Sequence, residues 1–163
     1  MRATVFGDGR FVLAGQVYRC AVGKGGIRTD KQEGDGATPV GVLPVRRVLY
    51  RADRVAAPDC AFPVEPIAPT DAWCEDPASR DYNRMVNLPP EAKGDRLWRD
   101  DHVYDIVAVL GWNDAPVVRG LGSAIFLHLA RADYSPTDGC VALNLADIRK
   151  VLAAGLREIE VVG

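Results

Sequence analysis

Proline and glycine decide where this chain can be regular. Seven of its eleven prolines, Pro58, Pro63, Pro66, Pro69, Pro77, Pro89 and Pro90, fall within one stretch. Each fixes φ and removes a backbone donor, so together they interrupt any regular period. Residues 56–99 therefore read as a long irregular excursion, and excursions of that length inside a compact domain usually serve as lids or binding loops. Outside it the apolar runs are short and strand-like. Phe11–Ala14 and Val17–Val22 are split by Gly15, and Val40–Val45 leads into Val48–Tyr50. Pro44, inside that last pair, predicts an edge position or a bulge. Val103–Leu110, Ala124–Leu129 and Ile159–Val162 follow. One helix is predicted: Asn144 can cap it, Asp147 sits near its positive end, Ile148, Val151 and Leu152 share a face, and Gly155 stops it. The expectation is one mainly β domain over residues 1–163, sandwich- or barrel-like, with one or more short helices and a long proline-rich capping loop.

Composition narrows the function classes. With 48% hydrophobic and 26% charged residues the chain reads as an ordinary globular protein, and a net charge of −2 gives no field favouring nucleic acid or an anionic membrane. No apolar run is long enough for a transmembrane helix. The start, Met1–Gly9, has no long apolar leader region. The protein is then cytosolic, exported by another route, or given without its leader. The four cysteines, Cys20, Cys60, Cys74 and Cys140, match no zinc spacing, and two histidines are too few for the usual catalytic metal sites. No cofactor or metal is expected.

Chemistry concentrates near the C-terminus. Ile125-Phe126-Leu127-His128-Leu129 precedes Ser135-Pro136-Thr137-Asp138-Gly139-Cys140-Val141. A free thiol titrates near pH 8.5 and needs a base to act as a nucleophile at neutral pH. His128 is placed to be that base. Gly139 lets the backbone approach a reacting carbonyl, and the N–H groups of Gly139 and Cys140 are candidates for an oxyanion hole. A Cys is also a common small buried hydrophobe, and a strand-end His is often a satisfied core residue. Asp138 beside a thiolate would raise its pKa, so a role orienting His128, holding Arg131 or simply facing solvent stays open. Arg131 suits a carboxylate grip. His102, among Asp100 and Asp101, reads as a surface residue. Gly120-Leu121-Gly122-Ser123 and Gly23-Lys24-Gly25-Gly26 lack nucleotide-binding patterns and read as turns.

These residues resemble a family, the L,D-transpeptidases with a YkuD-type catalytic domain. His128 followed by Ser135–Leu143 matches that family's His, gap and Gly-Cys pattern. Gly34-Asp35-Gly36-Ala37-Thr38-Pro39-Val40-Gly41 resembles its Asp-Gly-x-Thr-Pro-x-Gly segment. Leu97–Asp101 and Tyr104–Val107 resemble a compact proteobacterial branch. Asp138 stands where the family has His, and Val141-Ala142-Leu143 replaces the Arg often found after the Cys.

The resemblance implies a cleft in which Cys140 attacks a peptidoglycan stem peptide, releases a terminal D-amino acid, and yields its acyl group to an amine. The products implied are 3-3 links between diaminopimelate residues, or 1-3 links from L-Ala to diaminopimelate. A hydrolase on the same scaffold and a non-catalytic wall-binding module are the alternatives. Catalysis is expected from Cys140, His128 and Gly139. Substrate contacts are expected from Asp138, Arg131, Tyr104, Trp98, Arg99, Arg84 and Tyr82, the last four within or at the end of a capping segment that selects the acceptor. The implied partners are donor and acceptor stem peptides, without nucleic acid, and the chain is expected to act as a monomer. The implied compartment is the periplasm of a Gram-negative bacterium. Disulfides persist there, and a Cys60–Cys74 bridge is expected, with four free thiols as the competing reading.

Overall fold

A computed structural model describes residues 1–163. The chain opens with β1 (Arg2–Phe6), β2 (Arg10–Leu13), β3 (Gln16–Arg19), β4 (Ile27–Arg28), β5 (Thr38–Pro39) and the long β6 (Gly41–Tyr50). Then come β7 (Val64–Pro66), β8 (Asp71–Trp73), β9 (Met85–Asn87) and β10 (Asp95–Arg96). The last third holds β11 (Ile106–Leu110), β12 (Phe126–Leu129), β13 (Val141–Leu143), the helix α1 (Leu145–Ala153) and β14 (Glu158–Val162).

The main sheet runs β13-β12-β11-β6-β14-β1-β2-β3, with β7 added beside β6. Its two ends meet, because Ala21, just after β3, exchanges two 2.9 Å backbone hydrogen bonds with Ala142 of β13. The sheet thus curls into a nearly closed barrel, and closure removes the exposed edges that an open sheet would present. The mainly β expectation holds. So does the helix: Asn144 Oδ1 accepts from Asp147 N at 2.8 Å, and Ile148, Val151 and Leu152 are buried.

Alternation along each strand builds two cores. Ile106, Ala108 and Leu110 of β11, Leu127 and Leu129 of β12, and Val141 and Leu143 of β13 point into the barrel with the buried face of α1. Val107, Val109 and Phe126 point outward into a second core with Leu49, Ile67, Trp73, Leu97, Tyr104 and Cys140. The proline-rich segment supplies much of that second layer.

Three expectations are corrected. The segment 56–99 is not wholly irregular, since β7 pairs with β6 and a separate sheet forms in the order β10-β8-β9. Its strands have two or three residues, too few to leave a period in the sequence. Pro44 is not at an edge but within β6, between β11 and β14. The register with β11 jumps from Val109↔Arg47 to Leu110↔Val45, so the bulge lies two residues away. Finally, all four cysteines are free. Cys60 packs against the barrel core beside Phe62, its Sγ donating to the Phe62 carbonyl at 3.1 Å, whereas Cys74 follows β8 in the outer sheet. The two belong to different layers.

Candidate active site

The position of Cys140 follows from one pairing. β12 and β13 are adjacent and parallel, with His128 opposite Ala142. A parallel neighbour requires the chain to loop back rather than turn, and residues 130–140 make that return. It delivers Cys140 beside the start of β12. There Cys140 Sγ accepts from Phe126 N at 3.3 Å and donates its own hydrogen to the Ala124 carbonyl at 3.2 Å. Two residues along the same face of β12 stands His128. Both side chains are buried and both line one cleft of about 370 Å³.

The turn before Cys140 is braced from three directions. Thr137 Oγ1 donates to the Cys140 carbonyl at 2.6 Å and accepts from Gly139 N at 3.1 Å. Thr38 Oγ1 donates to the Gly139 carbonyl at 2.8 Å and accepts from Gly23 N at 2.9 Å. Gly139 has φ +136°, and a Cβ there would stand 2.8 Å from the Ala37 carbonyl oxygen, so only glycine fits. The two sequence segments that carried the resemblance are therefore in direct contact. With its amide bonded to Thr137, Gly139 does not offer a free N–H to the cleft.

His128 is held as a neutral base. Its Nδ1 lies 2.9 Å from the Leu129 carbonyl. A carbonyl only accepts, so Nδ1 carries the proton and Nε2 keeps its lone pair. Burial lowers the imidazole pKa to about 4, with the Leu129 bond acting the other way. Burial likewise raises the Cys140 thiol above its ordinary range, opposed by the Phe126 N–H. The resting pair is thiol and neutral imidazole, not thiolate and imidazolium.

Tyr104 completes the inner wall. Its ring meets His128 edge-on, with centroids 5.3 Å apart, and its hydroxyl donates to Asp95 Oδ2 at 2.7 Å. Burial raises the Asp95 pKa to about 6, less than it would without that bond. The cleft mouth carries both signs of charge. Lys24 pairs with Asp138 at 3.0 Å, and Arg99 and Arg131 approach Asp101 at 2.7 and 3.7 Å. Asp95 and Glu75 line the same cleft and make no ion pair, and the Arg99 charge acts to lower the Asp95 pKa.

Of the residues read from the sequence, the cleft gathers Cys140, His128, Tyr104, Arg99, Arg131 and Asp138, with Gly139 directly behind it. Three expected substrate contacts lie elsewhere. Tyr82 is almost fully buried, donating to Glu33 Oε1 at 2.7 Å and accepting from Gly122 N at 2.9 Å. Trp98 lies under the Arg51 guanidinium, 3.5 Å from its ring centroid. Arg84 is exposed and lines a different groove with Arg46 and Trp112. His102 is exposed and bonded to Asp105 at 2.7 Å, outside the cleft. Sequence reasoning missed Asp95, Glu75 and Asn83, all in the capping segment, whose folding sets their neighbours.

Cys140 and His128 thus lie buried on the outer face of the barrel, under a capping sheet. The chain belongs to the YkuD family, the L,D-transpeptidase catalytic domain, whose family model matches residues 2–156. That family acts on peptidoglycan, outside the cytoplasmic membrane. No match was found among curated proteins or solved structures.

Proposed function

We propose that this protein is a cysteine-dependent L,D-transpeptidase of the periplasm that cross-links stem peptides through a thioester on Cys140. One observation supports this above the others: Cys140 Sγ sits on Phe126 N, and the same strand face presents His128 with Nε2 free. In the first half-reaction Sγ attacks the donor carbonyl as His128 Nε2 takes the thiol proton. The N–H of Cys140 faces the developing oxyanion, since that of Gly139 is occupied. Collapse breaks the peptide bond. The imidazolium returns the proton to the departing amine of the terminal D-amino acid, leaving the thioester. In the second half-reaction an acceptor amine attacks the thioester, gives a proton to Nε2, and the thiol is restored by that same proton.

Both signs of charge suit the substrates. Stem peptides carry both carboxylates and ammonium groups, and the cleft presents Arg99, Arg131 and Lys24 together with Asp95 and Glu75. The capping segment contributes Glu75, Asp95 and Arg99, and excludes water that would hydrolyse the thioester. Mass spectrometry of muropeptides after incubation with wild type and Cys140→Ala tests this. Dimeric products with wild type alone are expected, and the linked positions distinguish 3-3 from 1-3 bonds. Shortened monomers alone would make the protein a hydrolase, and identical products from the two enzymes would remove Cys140 from the chemistry.

A further inference from the structure

Asn83 lies outside the cleft, yet every hydrogen-bonding position of its side chain is used. Its Oδ1 accepts from Trp73 Nε1 at 2.9 Å and from Ala124 N at 3.1 Å. Its Nδ2 donates to the carbonyls of Trp112 at 2.9 Å and Asn113 at 2.8 Å. The residue is buried and has φ +56°. Ala124, on the receiving end, also has a positive φ of 55°, a conformation that costs an L-residue with a Cβ. That twist lets the Ala124 N–H point to Asn83 while its carbonyl points to Cys140, where it accepts the thiol hydrogen.

We propose that Asn83 is a positioning residue for the nucleophile, fixing through the left-handed backbone of Ala124 the carbonyl that holds Cys140 as a resting thiol. This rests on the reading of Cys140 as the nucleophile. Two backbone groups contact Sγ with opposite effect. The Phe126 N–H favours the thiolate, and the Ala124 carbonyl favours the thiol, because its negative end faces the sulfur. Phe126 is fixed by strand pairing with Val109. Ala124 precedes the strand and takes its orientation from the capping segment through Asn83. The balance between the two groups, and hence thiol reactivity, is set by a side chain that never touches the sulfur. The ionisable groups facing Cys140 are Asp95 and Glu75 from the capping segment, Asp138 from its own turn, Tyr104 from the loop before β11, and His128 from β12. Asn83 bonds to none of them, and its one link toward Asp95 runs through Trp73, which pairs with Asp95 in the capping sheet.

The test is the pH dependence of Cys140 alkylation by iodoacetamide, followed on the Cys140 peptide by mass spectrometry. Asn83→Gly removes the side chain while accepting the positive φ. Its alkylation rate at pH 7.5 should rise about tenfold, a one-unit fall in the thiol midpoint. Trp73→Phe removes the other donor to Oδ1, keeps the Ala124 bond and should stay within about twofold of wild type. A glycine variant that follows the wild-type profile overturns the proposal, as does a phenylalanine variant that shifts equally. Should the glycine variant not fold, isotope-labelled wild type decides. Alkylating Cys140 should move the Asn83 side-chain amide resonances, and unmoved resonances overturn the relay. Alkylation needs no stem peptide, so a shifted profile without cross-linking would reject the proposed function and leave the positioning role standing.

Discussion

Cys140 and His128 each donate to a backbone carbonyl, and burial disfavours the charged form of both. Such a pair reacts only when a bound carbonyl draws the proton transfer and the attack together. Iodoacetamide bypasses that requirement, since it reacts with whatever thiolate exists. Its rate at Cys140 should climb steadily above neutral pH, with no plateau between about pH 5 and 8. A plateau there would reveal a preformed thiolate–imidazolium pair. His128→Ala should leave this alkylation little changed while lowering acylation by stem peptide about 10²–10⁴-fold. Equal losses in both assays would mean that His128 sustains the fold rather than the proton transfer. That Cys140 and His128 share a cleft was legible in the sequence, because a Gly-Cys turn and a nearby His on an apolar strand leave few roles open. Asn83 and Asp95 were not, because no periodic pattern or motif marks the short strands and loops that bring their partners to them. Tyr82 and Trp98 misled for a physical reason: an aromatic ring in a loop contacts a ligand or seals a layer, and sequence alone does not separate the two.

Among the elements, the β2–β3 hairpin offers a test of how local signals act. Its closing pair is Leu13↔Gln16, around Ala14 at φ 49° and Gly15 at φ 78°. Two positive φ values in a two-residue loop define a type I′ turn, which favours Asn-Gly. Ala14→Asn should stabilise the protein by about 0.5–1 kcal/mol. Chemical denaturation should show a higher midpoint with an unchanged slope, and no gain would mean that the turn is not strained. Gly15 marked this turn in the sequence. The parallel register of β12 with β13, which creates the site, left no comparable mark. It is fixed by the Ala21–Ala142 closure and by Thr38 holding Gly139, contacts spanning more than a hundred residues. Strands of two or three residues in the capping sheet were invisible for the same reason, since their pairing partners rather than their sequence define them.

At the level of the whole molecule, the buried imidazole couples stability to pH. Folding lowers the His128 pKa to about 4 from an ordinary value of about 6.5. The unfolded chain therefore binds more protons between those values, and stability rises with pH across that window. The contribution is complete above about pH 6.5 and is lost as pH falls toward 4. Other carboxyls titrate in the same range, Asp95 with the opposite sign because its folded pKa is raised to about 6. The clean quantity is therefore the stability difference between wild type and His128→Gln. It should move in favour of wild type by about 3 kcal/mol from pH 4 to 6.5. A constant difference would show that the imidazole is hydrated in the folded state.

The barrel, its capping sheet and the braced Gly139 turn all converge on one sulfur, so the central claim is that Cys140 alone is acylated. A carbapenem carries a strained amide that acylates an activated thiol, and proteolytic mapping of the adduct by mass spectrometry reads the position directly. One intact drug mass on the peptide containing Cys140 is the predicted result, absent in Cys140→Ala. An adduct on Cys20, Cys60 or Cys74, or one that persists in Cys140→Ala, would contradict the account.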